Sequence, residues 1–237
     1  MVREEGSMSD RERIKKELSH YGRLLVEREL VVGPGGNISA RVGDVVYLSP
    51  SGLALDEIDE GGWIGIELGS GEVIDGPKGL RPTSETTMHL GCYMARDDIR
   101  AVIHTHPAIA TALATTGISK FEGMVPDFIA YLGKYIPVLH FIIPCGEEIR
   151  TAVTEELVKG HNAVLLSNHG LVTVGSNLKE AYYRTELVEN SAKFLLACKL
   201  FGIPRYLTEE EKEAISNLEA EDYRRALLKG AGAFKLF

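Results

Sequence analysis

Four residues carry the chemistry legible in this sequence. In AVIHTHPAIA, residues 101–110, His104 and His106 close an apolar run and flank one threonine. On a strand, residues i and i+2 point to the same face, which sets the two imidazoles side by side. Two neutral imidazoles so placed can chelate a divalent cation. Taken alone, the pair is equally consistent with ordinary histidines packed at a strand end. His169, in LLSNHGLVTVG, repeats the context: an apolar stretch, a histidine, then a glycine that permits close backbone approach. Glu85, in RPTSETTMHL, falls in the first turn of an expected helix, where a carboxylate is also favourable for capping and dipole reasons alone. Together, three histidines and one glutamate match a mononuclear zinc-type site. His20, His89, His140 and His161 read as packed or solvated residues. His89 lies one turn after Glu85 and is the nearest spare ligand.

These side chains need a scaffold of strands and helices, and the sequence supplies one. Residues 9–30 read as a helix, with Ser9 and Glu12 as a capping box and Leu18, Tyr21, Leu25 and Leu30 at helical spacing. GPGGNISARV, residues 33–42, is a glycine-rich loop opening into a strand. Residues 44–52 form a strand ending in a turn, and residues 62–74 a hairpin around Gly69-Ser70-Gly71. A helix follows over 83–96 with Thr83 or Ser84 as N-cap. Strands are expected over 99–106 and 137–144, the second buried, with a helix over 146–160 ended by Gly160. Residues 162–175 read as a pair of short strands. A long helix capped by Asn177 runs to 202, and one more helix covers 208–230. This mixture suits a single layered α/β domain with a largely antiparallel sheet.

Bulk properties narrow the function classes. The chain has 237 residues, 44% of them hydrophobic, enough for one sizeable core. A net charge of -8 argues against a nucleic-acid surface, which carries a basic stripe. Small anions remain compatible with such a chain, since a few local donors suffice. Cys92, Cys145 and Cys198 are too scattered for a disulfide framework or a C-x-x-C zinc spacing, which points to a reduced, cytoplasmic setting. Residues 1–19 lack the apolar core of a secretory signal. No apolar run approaches the ~20 residues of a membrane span.

The ordered set GPGGNIS, SPSG, RPTSE, HTHP and NHGL resembles the zinc-dependent class II aldolase family, that of L-fuculose-1-phosphate aldolase and L-ribulose-5-phosphate 4-epimerase. Each motif alone is weak, but the set in this order is specific, and it covers residues 10–202. The resemblance implies one α/β domain with a central, mainly antiparallel sheet and helices on both faces. It implies a homotetramer with active sites between neighbouring subunits. It implies a zinc ion on His104, His106 and His169, with Glu85 beside the metal as general base and resting-state ligand. It implies a sugar-phosphate substrate whose phosphate meets Asn37, Ser51, Gly52, Thr83 and Ser84, residue types that also serve as turn and cap chemistry. The reaction it implies is cleavage of a ketose 1-phosphate to dihydroxyacetone phosphate and an aldehyde.

Three positions depart from the fuculose-phosphate aldolase pattern. Pro34 replaces a threonine near the phosphate and offers neither hydroxyl nor N–H. Asp127 aligns with a catalytic tyrosine that reaches in from the neighbouring subunit, and is read either as a catalytic group or as a turn residue after Pro126. Tyr131 or Tyr135 is an alternative source of a phenol there. Cys145 replaces a phenylalanine lining the aldehyde pocket. The epimerase branch shares an aspartate in the Asp127 segment, so it stands second. A 5-methylthioribulose-1-phosphate dehydratase or a decarboxylase of 3-oxo acid phosphates follows. A non-catalytic, adducin-like module is the rival from another class, and the intact histidine set speaks against it. The C-terminal KGAGAFKLF reads as a frayed end or as a tail near a subunit interface.

Overall fold

The computed structural model describes residues 8–228. Helix α1 (Asp10–Glu27) starts on the expected capping box: the Ser9 hydroxyl accepts from the Glu12 N–H, and the Glu12 carboxylate accepts from the Ser9 N–H. Nine strands then build one sheet: β1 (Asn37–Val42), β2 (Val45–Leu48), β3 (Ile64–Glu67), β4 (Val73–Asp75), β5 (Ala101–Thr105), β6 (Lys120–Glu122), β7 (Tyr135–Leu139), β8 (Ala163–Leu166) and β9 (Gly170–Gly175). Their spatial order is β4-β3-β2-β1-β5-β9-β8-β7-β6. Among the described residues only β7 and β8 pair in parallel. The α/β class, the dominant antiparallel pairing and the hairpin over 162–175 agree with the sequence reading.

Alternation along the strands divides the core. Val46, Leu48, Val102, Val172 and Val174 face α2 (Thr86–Ala95) and α5 (Glu147–Val158). Ile38, Ala40, Tyr47, Ala101 and Ile103 face α1 and α6 (Leu178–Phe201). Under the far end of the sheet, α3 (Ala108–Ala114) and α4 (Pro126–Leu132) pack with α6 over Phe121, Leu165 and Leu171. Helices thus cover both faces. The same two-residue period turns Asn37, Ser39 and His104 toward α2, opposite in sense to Ile38 and Ile103. Register pairs Asn37 with His104 across β1 and β5. No helix among the described residues is long and apolar enough to cross a membrane.

Two expectations need correction. The strand expected over 137–144 ends at Leu139. Its partner β8 turns away at Ser167, whose N–H donates to the Leu139 carbonyl, so residues 140–144 have no ladder to continue. Phe141 and Ile143 are exposed there rather than buried. The helix expected over 208–230 is two helices, α7 (Glu209–Ser216) and α8 (Glu219–Leu228). Asn217 closes α7 by donating to the Glu213 carbonyl, as a residue that competes for backbone bonds tends to do. The tail after residue 228 lies outside the described residues.

Two glycines let backbone pass over the histidines. Gly36 has φ +68°, and a Cβ there would lie 2.8 Å from the His104 carbonyl oxygen. A Cβ on Gly170 would overlap the Thr105 carbonyl oxygen and lie 2.6 Å from His106 Cδ2. Both neighbours are fixed by the sheet, so neither can yield cheaply. Gly170→Ala is therefore expected to destabilise the fold by about 1–3 kcal/mol through overpacking. Urea unfolding measures this directly, and an unchanged midpoint would show that β9 has room to shift.

Candidate metal centre

His104 is the penultimate residue of β5, His106 lies two positions on, just past the strand's end, and His169 sits in the β8–β9 turn. The three rings lie 4.7–5.5 Å apart, centroid to centroid. One nitrogen from each falls within 4.8 Å of the others. His104 is fully buried and its Nδ1 lies 3.0 Å from the Leu171 carbonyl oxygen. A carbonyl only accepts, so Nδ1 holds the proton and a neutral His104 presents a bare lone pair at Nε2. That lone pair meets His106 Nε2 at 3.0 Å and Glu85 Oε2 at 3.1 Å. Glu85 Oε1 lies 3.6 Å from His169 Nε2.

Burial opposes relief by protonation. It holds the His104 imidazole well below its ordinary acidity range, reinforced by His106 and His169. Burial likewise lowers His106, with His169 adding to the effect, and lowers His169 against the pull of Glu85. A proton on His106 Nε2 can bridge one gap only. A divalent cation would satisfy all the lone pairs at once, so this donor set fits a metal ion.

Glu85 reaches the cluster because the cap of α2 falls one or two residues later than expected. The N-cap is Glu85 itself, not Thr83 or Ser84. The Thr83 hydroxyl accepts from the Glu85 N–H at 3.3 Å, and the Thr83 carbonyl accepts from the Thr86 N–H and hydroxyl. That local turn chemistry leaves the Glu85 carboxylate with no capping bond, free to extend toward the histidines. Asn37 Nδ2 donates to Oε2 at 2.9 Å. Glu85 is 5% exposed, yet its Oε1 has no hydrogen-bond partner.

Of the residues expected to contact an anion, Asn37 and Thr83 each hydrogen-bond Glu85. Pro50 bridges to Pro82, the Ser51 N–H donates to the Arg81 carbonyl, and the Thr83 N–H donates to the Ser49 carbonyl. This short antiparallel ladder sets Ser51 opposite Arg81 and Thr83 opposite Ser49. Ser51, Gly52 and Ser84 are exposed, whereas Asn37 and Thr83 are buried. Gly52 has φ +86°, a conformation glycine adopts without strain. Pro34 is exposed in the adjoining loop.

Asp127 does not join the cluster of its own chain. It is exposed in the first turn of α4 and lines a cavity of about 670 Å³ with Arg28, Tyr131, Glu189, Lys193 and Arg224. Tyr135 lies apart on β7, over Lys120 and His161. Cys145 is exposed before α5, with φ +71°.

The supporting bonds of two residues escaped the sequence reading. His89 packs as expected and is not a ligand, but it is a polar partner of Asn37 through Nε2 at 2.6 Å. Glu189 accepts from the N–H groups of Ile109 and Ala110, so it caps α3 immediately after His106 and Pro107. Pro107, the N-cap, has no side-chain acceptor of its own. No local signal marks Glu189, which lies far along the chain in the middle of α6.

Metal removal should lower the melting temperature, and zinc should restore it in a concentration-dependent way. Acid should act on the metal-free chain with a definite sign. Burial pushes His89 from 6.5 down to about 3, so below pH 6.5 the unfolded chain binds a proton that the folded chain refuses. Stability then falls as pH drops through that window, by about 1.4 kcal/mol per pH unit for one such group. Urea titrations of chelated protein between pH 7 and pH 4.5 check this. A flat profile would mean that the buried imidazoles protonate in place.

A family model described as Class II Aldolase and Adducin N-terminal domain matches residues 16–196. An L-fuculose phosphate aldolase from Methanocaldococcus jannaschii is 37% identical over 183 residues, covering 77% of this chain and 95% of that one. A 5-deoxy-D-ribulose 1-phosphate aldolase from Bacillus thuringiensis is 33% identical over 204 residues, covering 85% of this chain and 93% of that one. A solved structure of L-fuculose 1-phosphate aldolase matches with a TM-score of 0.79 at 34% identity, over 92% of this chain and all of that one. The histidine cluster with its carboxylate thus sits in a chain that belongs to the class II aldolase family.

Proposed function

We propose that the chain catalyses reversible, metal-dependent cleavage of a ketose 1-phosphate to dihydroxyacetone phosphate and an aldehyde. The observation that carries this reading is Glu85 Oε1, a buried carboxylate oxygen without a partner beside three imidazole nitrogens. His104, His106 and His169 would hold the metal, and three imidazoles with an adjacent carboxylate suit zinc. When bound, the metal supplies Lewis-acid polarisation of the substrate carbonyl.

This chain's residues do the rest. Cleavage breaks the C3–C4 bond, its electron pair passes to the three-carbon fragment, and the C4 hydroxyl loses its proton. Glu85 returns a proton to C3 and removes it in the reverse direction, a general acid–base role. Ser51, Ser84, the Gly52 N–H, Thr83 and the second N–H of Asn37 form the phosphate cradle. Asp127 handles the C4 hydroxyl proton at a neighbouring copy's metal, in a homotetramer of the kind the family resemblance implies. Its exposure beside a separate cavity supports action across an interface rather than at its own cluster. The two aldolases similar to this chain are named for different sugars, so the aldehyde fragment is left open in the proposal.

Zinc-loaded protein incubated with dihydroxyacetone phosphate in heavy water should exchange one C3 hydrogen stereospecifically, as followed by proton NMR. Chelated protein should not. Glu85→Gln should keep its metal and lose about 10²–10⁴-fold in exchange rate. Full exchange by that variant would remove Glu85 as the base. No exchange by metal-loaded wild type would overturn the aldolase reading and favour the epimerase or dehydratase branch.

A further inference from the structure

Behind Glu85 lies a file of polar groups that the proposed chemistry does not use. Tyr93, Ser39 and His89 are each at most 1% exposed. Tyr93 Oη lies 2.7 Å from Ser39 Oγ, and Ser39 Oγ lies 2.7 Å from His89 Nδ1. His89 Nε2 lies 2.6 Å from Asn37 Oδ1, and Asn37 Nδ2 lies 2.9 Å from Glu85 Oε2. Two elements supply these groups: α2 gives His89 and Tyr93, with Glu85 as its N-cap, and β1 gives Asn37 and Ser39.

The direction of every bond in this file follows from its last member. An ionised carboxylate only accepts, so the Asn37 atom facing Glu85 is the amide nitrogen. The other Asn37 atom is then the oxygen, which also only accepts. His89 must therefore donate from Nε2. Burial keeps the His89 ring neutral, so it has one proton to give. Its Nδ1 is then an acceptor, the Ser39 hydroxyl must donate to it, and Tyr93 must donate to Ser39 Oγ. Burial also raises the Tyr93 phenol, which keeps that donor protonated. Reversal would need a proton on Glu85 Oε2, a flipped Asn37 amide, the other His89 tautomer and a turned Ser39 hydroxyl, all together.

We propose that His89 is a positioning residue for Glu85: through Asn37 it fixes Oε2 as a permanent acceptor and leaves Oε1 as the only oxygen that carries the reacting proton. This rests on the aldolase reading for what the proton does, but not for how the file is ordered. The two carboxylate oxygens are thereby unequal. Both lie at the cluster, Oε2 3.1 Å from His104 Nε2 and Oε1 3.6 Å from His169 Nε2, but Oε2 is anchored by a directed donor whereas Oε1 has no hydrogen-bond partner. An apolar residue at position 89 would leave the Asn37 amide free to rotate. In the rotated state Asn37 Oδ1 faces Oε2, and that contact is tolerated only with a proton on the wrong oxygen.

Nitrogen-15 NMR of the full-length protein, metal-free and zinc-loaded, reads the tautomer. His89 should be neutral and protonated at Nε2 in both. A proton on Nδ1 would overturn the proposal whatever the enzyme does. The paired variants are His89→Leu, which removes the donor, and His89→Gln, whose amide nitrogen can stand in for Nε2–H. His89→Leu should exchange dihydroxyacetone phosphate about 10–100-fold more slowly in kcat, with zinc content unchanged. His89→Gln should recover most of that loss. Equal losses in the two variants, or a loss that tracks zinc content, would reduce His89 to a packing residue. Should His89→Leu fail to fold, the tautomer and the His89→Gln rate still decide. If wild type shows no exchange, the aldolase reading fails while the tautomer result stands on its own.

Discussion

The short contacts inside the histidine cluster bring like atoms together. The Nε2 atoms of His104 and His106 face each other at 3.0 Å, and a carboxylate oxygen stands 3.1 Å from the first. In a pocket this buried, such an arrangement is unfavourable without a cation, so packing elsewhere must impose it. The imposition is visible. His104 is held in the sheet interior by pairing to Asn37 on one side and Val172 on the other, and its Nδ1–H is tied to Leu171. His106 is followed at once by α3, whose first N–H groups are held by Glu189. His169 stands in a short turn between two fully buried strands, after Asn168 at φ +56°. The hydrophobic layers on both faces supply the free energy, and the cluster is where some of it is opposed.

How much of this was legible in the sequence depended on whether the signal was local. The H-x-H spacing, the NHG turn and the glycines of GPGGN are local, because strand alternation and backbone crowding act within a few residues. The Ser9 capping box and the Asn177 cap were legible for the same reason, and both appear. The onset of α2 was misplaced because Thr83 and Ser84 are good caps by type. Here the Thr83 hydroxyl takes the Glu85 N–H in a turn instead, which moves the cap onto Glu85. The end of β7 was misplaced because the apolar run FIIP continues past the point where β8 stops offering a partner. Helices α3 and α4 were not legible as helices. Each is one of seven residues, too short for periodicity to speak, and each is held by packing onto α6 and its neighbours. His89 was correctly read as packed, but its bond to Asn37 spans 52 positions and no local pattern announces it.

Glu180 and Glu189 differ from Glu85 in their partners, and Glu221, whose Oε2 also lacks one, keeps the Arg224 guanidinium on Oε1. Glu180 accepts from the Ser176 N–H and hydroxyl on one oxygen and from the Arg184 guanidinium on the other. Glu189 accepts two α3 N–H groups and lies 3.4 Å from the Lys193 ammonium. In both, each oxygen has a donor and a cation is near, which is the usual condition for burying a carboxylate. Glu85 meets half of that condition. One oxygen is held by Asn37, and the other faces imidazole nitrogens with no donor assigned to it. Removing a proton from carbon needs a base that is fixed in place yet has a free lone pair. A carboxylate anchored at one oxygen and open at the other has that form, and the cation that completes its charge balance is also the one that would polarise the substrate. The same half-satisfied state that costs stability in the resting fold is therefore what would suit Glu85 to the proton transfer proposed for it.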